Sequence, residues 1–155
     1  MRFRCAIVSL VGCFLISTLV LAETPDAVQD ITFDTLALDV KKSSDYDAAK
    51  HLTEQVKALA GKQVRLCGNI MPGFQVKGIE QFVLERDNFR AHGWRADAPQ
   101  HELILVKLAP GMTTSFSTKP VIVEGTFQLR EFKTEAGQIL AIYAIDDARV
   151  MPRAK

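Results

Sequence analysis

The stretch from Leu59 to Pro72, LAGKQVRLCGNIMP, constrains the fold more than any other part of this chain. Upstream of Gly61 the apolar residues Tyr46, Ala49, Leu52, Val56 and Leu59 recur every three or four positions, the stripe of one helix face. Downstream the period is two: Val64, Leu66, Gly68 and Ile70 share one face, and Arg65, Cys67, Asn69 and Met71 the other. A change of period across a glycine predicts a helix that stops and hands over to a strand. Gly68, inside that strand, predicts a bulge or tight coil of the kind that lets a sheet curl.

The helix is expected over residues 45–60. Ser44 and Asp47 have capping-box spacing at its start, and Lys57 and Lys62 suit the negative end of its dipole. Four more strands are expected at 81–86, 102–108, 120–132 and 138–150, each rich in β-branched and apolar residues and bounded by turn signals. Pro120 opens its strand, Gly125 repeats the mid-strand glycine of Gly68, and Glu135-Ala136-Gly137 reads as a hairpin loop. Five strands with no helix between them predict a mainly β fold, an OB-like antiparallel barrel, closed or partly closed, with one N-terminal α-helix. The segment 109–119 is too short and too rich in Pro, Gly, Thr and Ser for the helix usual between the third and fourth OB strands. Ahead of the helix, Ile31, Phe33, Leu36, Leu38 and Val40 alternate, interrupted once at Thr35, which predicts a short strand or an extended arm lying across the core.

Residues 1–22 have the layout of a secretory signal peptide: Arg2 and Arg4, an apolar run from Cys5 to Leu21, and Ala22 at the expected cut. The competing readings are a retained anchor, since the run just reaches the length that spans a bilayer, and a lipoprotein lipidated at Cys13. Cleavage after Ala22 leaves an arm over 23–43 and one domain over 44–152, with no stable membrane span, in the periplasm or secreted. It also leaves 17 basic side chains against 18 acidic ones, so no global charge draws the chain to nucleic acid or anionic lipid. Cys67 is then the sole thiol, an internal disulfide is impossible, and stability must come from the core.

The blocks Leu59-x-Gly61-Lys62-x-Val64-Arg65-Leu66-x-Gly68, Phe82-x-Leu84 and Pro120-Val121-x-Val123-x-Gly125-x-Phe127 resemble those of a family of exported bacterial proteins known only as a domain of unknown function. The resemblance covers nearly the whole mature chain and implies an OB-like fold and a periplasmic or cell-surface location, without a reaction. Many members carry cysteine, or cysteine with histidine and a proline run, just before the third strand. This chain has Asn88 to Arg95 and Gln100-His101 there, with no cysteine.

The segment 86–101 is the richest functional candidate. Arg86, Arg90 and Arg95 interleave with Phe89 and Trp94, a mixture that can stack on rings and pair with anions, on a loop carried by a rigid scaffold. The plainer reading has the aromatics packed on the barrel rim and the arginines solvated. A metal site from His92, His101 and Cys67 is the alternative, although these residues lack the close pairing of zinc ligands. Cys67 alone reads best as a partly covered small apolar residue. Arg65, Arg86, Lys107 and Arg130 could line a groove for single-stranded nucleic acid, against the charge balance and the export signal. No GxSxG, HExxH or GxxxxGK motif occurs, and Asp146 and Asp147 fall on alternate sides of a strand end. The sequence therefore predicts an exported, non-enzymatic binding or accessory module that needs no cofactor. Its expected partner is a periplasmic protein or a small anionic ligand, met at the 86–101 loop and the hairpin near Glu135.

Overall fold

A computed structural model describes residues 27–39, 46–71, 75–86, 100–133 and 135–153. Residues 1–22, expected as a signal peptide, Val40, Ser44 and the stretch 87–99 lie outside the described residues. Six strands form one sheet: β1 (Gln29–Asp30), β2 (Gln63–Ile70), β3 (Gln81–Glu85), β4 (Leu103–Leu108), β5 (Val121–Lys133) and β6 (Ile139–Pro152). The hydrogen-bonded order is β1-β2-β3-β4-β6-β5, and β2 also pairs with β5, so the pairings starting from β2 return to it. Pairings β1–β2 and β4–β6 are parallel and the other four antiparallel, which corrects the all-antiparallel expectation. Among the described residues no helix is long and apolar enough to cross a membrane.

The predicted strands appear within two residues of their expected bounds, and in β2 the sequence alternation is carried into burial. Along β2, Val64, Leu66, Gly68 and Ile70 are buried. They meet Val121, Val123 and Phe127 from β5 and Ile104, Val106 and Ile145 from β4 and β6 in a single core.

Two expectations are corrected ahead of β2. The helix expected over 45–60 is two short helices, α1 (Ala48–His51) and α2 (Glu54–Ala58). Asp47, assigned in sequence to the third helical position, is itself the N-cap of α1, its carboxylate accepting from the Ala49 N–H at 3.0 Å. Leu52 is extended, and Thr53 caps α2 by accepting from the Val56 N–H at 3.2 Å. A side-chain acceptor that competes with the helical ladder starts a new helix instead of continuing the old one. The apolar stripe survives the break: Val56 and Leu59 are buried, and Tyr46 and Leu52 pack against the core. Gly61 follows at φ +79°, and its N–H donates to Phe127 O at 2.8 Å, tying the helical segment to β5.

The arm supplies the sixth strand. β1 pairs with Val64 and Arg65 of β2, and Ile31 N–H donates to Arg65 O at 2.9 Å. A turn then closes from Thr35 N–H to Thr32 O at 3.1 Å. It shifts the buried parity from Ile31 and Phe33 to Leu36 and Leu38, which accounts for the interruption at Thr35. Leu36 is fully buried, and its carbonyl accepts from the Tyr143 hydroxyl at 3.0 Å. Burial raises the Tyr143 phenol far above its ordinary pKa, so it remains a donor.

Candidate functional site

The register of β3 and β4 fixes the roots of the segment singled out by sequence. Glu85 pairs with Leu103, and one residue further Arg86 N–H donates to Glu102 O at 3.3 Å. Asn69 of β2 donates from its side chain to Arg86 O at 3.3 Å. The Arg86 guanidinium reaches the arm, 2.7 Å from the Asp34 carboxylate, in a solvent-exposed pair. Arg86 is therefore partnered, which the sequence did not suggest.

His101 sits in a 3-10 turn, Gln100–Glu102, leading into β4. Burial, helped by the positive charge of Arg86 and opposed by Glu102, holds its imidazole below the ordinary value, as desolvation does to any group that charges on protonation. Phe89, Arg90, His92, Trp94 and Arg95 lie outside the described residues.

Cys67 is exposed, which corrects the partly covered cysteine expected from sequence. It lies on the outward parity of β2, and β1 pairs only as far as Arg65 before the arm turns. Among the described residues no three His, Cys, Asp or Glu side chains come together to hold a metal.

The outward face of β1, β2, β5 and β6 carries a row of alternating charge. Asp30 pairs in register with Arg65, Arg65 with Glu124, and Glu124 with Arg149. Arg65 places Nη1 3.3 Å from Asp30, and Nε and Nη2 at 3.1 and 3.0 Å from Glu124, while Arg149 also bonds Glu124. Glu124 is only 5% exposed. Burial alone would raise its carboxyl, but the hydrogen bonds from Arg149 and Arg65, with their charges, hold it below the ordinary glutamate value. These arginines secure the sheet.

Of the four basic residues that sequence placed along a nucleic-acid groove, Arg65, Arg86 and Arg130 each have a carboxylate partner. Lys107 has none among the described residues.

A feature that sequence did not locate is a groove of about 560 Å³ at the Gln81–Lys107 end of the β3–β4 pair. Its lining includes Glu80, Lys107, Met112, Arg130, Asp146 and Asp147. β6 carries one extra residue there: Val106 and Leu108 oppose Ile145 and Ala148, and Glu124 and Thr126 oppose Arg149 and Asp146. Asp147, in this bulge, has φ +49° and is exposed. A Cβ on Gly125 would lie 2.7 Å from Asp146 O and 2.9 Å from Ala148 Cα, so the glycine makes room for the bulge. In β6 the buried residues run without a break from Ala141 to Ile145 and resume at Ala148 across Asp146-Asp147, so no alternation in the sequence marked the bulge.

Taken together, these features define a β-rich protein: a six-stranded sheet with short helices, a fixed-root insert and an open charged groove. The family of proteins of unknown function designated DUF3299 matches residues 18–152, and the chain belongs to that family. The resemblance read from the glycine-centred blocks is thus borne out as to a family without a known function. No curated protein matches the chain. The crystal structure of a DUF3299 family protein from Pseudomonas aeruginosa PAO1 is similar, with a TM-score of 0.56 and 20% identity, covering 83% of this chain and 98% of that one. That likeness is one of fold.

Proposed function

We propose that this chain is an exported, non-enzymatic binding module on an OB-like barrel, with its recognition surface on the segment 86–101. The observation that carries the reading is the closure of the ladder on both sides of that segment: Glu85 against Leu103, then Arg86 against Glu102. Connections rooted on a rigid scaffold are where recognition residues concentrate, and Phe89, Arg90, Trp94 and Arg95 fall within this one by sequence. The OB-like reading rests on pairings that return to β2 and on the parallel β4–β6 pair within a short antiparallel set. Export rests on the layout of residues 1–22.

The non-enzymatic reading rests on how the charged groups are used. Asp30, Asp34, Glu124 and Asp146 each pair with an arginine, and the Cys67 side chain has no hydrogen bond or ion pair among the described residues. The partner class is a protein or small molecule that presents an anionic group to Arg90 and Arg95 and a flat or apolar group to Phe89 and Trp94. Chemical crosslinking in cells that export the chain, followed by purification, tests this. The doubly substituted chain Trp94→Ala, Arg95→Ala is expected to lose the recovered partner; an unchanged set of adducts contradicts the surface.

A further inference from the structure

We propose that the groove at the Gln81–Lys107 end of the β3–β4 pair is a second docking site, shaped for a protein segment that carries a basic side chain beside an apolar one. It lies at the other end of β3 from the roots of the insert. Gln81 and Glu85 are opposite ends of β3, roughly 13 Å apart at the rise of an extended strand, and the insert leaves from the Glu85 end.

The groove's charges are unequal. Arg130 and Asp146 neutralise one another. Glu80, Lys107 and Asp147 also line it, and their side chains have no hydrogen bond or ion pair among the described residues. Two carboxylates therefore face one ammonium, and an incoming lysine or arginine gains more there than an incoming acid. Met112 lines the same groove and is 46% exposed. An unbranched thioether at a surface adapts to varied apolar side chains. Charge complementarity with an apolar neighbour is a specification for a basic, amphipathic segment rather than for a free ion.

The position of Asp147 is built into the sheet. The bulge that displaces it depends on Gly125 in the facing strand, and the left-handed backbone at φ +49° is one that aspartate and asparagine tolerate better than most residues. Asp147→Asn therefore removes the charge and leaves the bulge in place.

The test titrates the purified protein with two blocked tetrapeptides, one alternating lysine and leucine, the other alternating glutamate and leucine, and follows backbone amide shifts and affinity. The lysine peptide is expected to shift the signals of Gly111, Met112 and Asp147 and to bind more tightly than the glutamate peptide. Glu80→Gln with Asp147→Asn is expected to weaken it by about five- to tenfold, the order set by losing two partly exposed ion pairs. Glu54→Gln with Asp39→Asn, the same charge change at exposed positions elsewhere, is expected to leave its affinity unchanged. Equal binding of the two peptides, equal weakening in both double variants, or shifts confined to other strands would overturn the proposal. Displacement of the peptide by spermidine at equal concentration would also overturn it, since the groove would then be a small-cation site.

Discussion

Gly125 and Asp147 answer the same constraint from facing strands. The extra residue in β6 crowds β5 so closely that a methyl group at 125 would meet a backbone carbonyl at 2.7 Å, and a backbone atom cannot step aside as a side chain can. Gly125→Ala is expected to destabilise the fold by about 1–3 kcal/mol, the usual range for overpacking, read as a lower urea midpoint. The neighbouring residue, Glu124, is held by Arg65 and Arg149 and has a depressed carboxyl pKa. Its contribution is complete above the unfolded glutamate value of roughly 4.3 and is lost as pH falls through the lower folded value. Glu124→Gln is expected to cost about 1–3 kcal/mol at neutral pH and to flatten the loss of stability between about pH 5 and 3, measured by urea midpoints across that window. Both glycines stood out in the sequence as mid-strand breaks, and each is a close-approach site: a Cβ on Gly68 would lie 2.8 Å from Leu84 Cγ and 2.9 Å from Glu85 O. What they approach was not legible, because that depends on which strands become neighbours.

Among the elements, the arm is the least conventional. It adds two residues to the sheet edge, turns, and lowers Leu36 beside Tyr143, whose ring also lies 5.4 Å from that of Phe127. Asp30 and Asp34 pair with Arg65 and Arg86, but both carboxylates are largely exposed, so apolar burial outweighs them. Leu36→Ala is expected to cost about 2–4 kcal/mol and Asp34→Asn less than about 1 kcal/mol, compared by chemical denaturation. A reversed ranking would mean that the ion pairs hold the arm. The arm's alternation and the helical stripe were readable because burial follows periodicity whatever the local backbone does. The interruption at Thr35 was visible but not its turn, and the break at Thr53 was not read: a threonine that caps or turns looks the same in sequence as one that continues an element, and the choice is made by the core that Leu36 and Val56 must reach.

For the whole molecule, the sheet presents two unlike features at opposite ends of β3: the insert between Arg86 and Glu102 and the groove lined by Lys107 and Asp147. Of the insert, the composition was legible, arginines interleaved with Phe89 and Trp94; residues 87–99 lie outside the described residues. The groove was not legible, because Glu80, Lys107 and Asp147 are distant in sequence and are gathered only by strand pairing and a bulge. Arg86 shows the converse, a residue selected for its charge that the fold engages with Asp34. The central claim is that recognition occurs on the insert. The test places a photoreactive amino acid at position 94, and separately at the exposed position 54 of α2, in cells that produce the protein, and irradiates them. A discrete adduct from position 94 and none from position 54 is expected. No adduct from 94, or the same adduct from both, would contradict it.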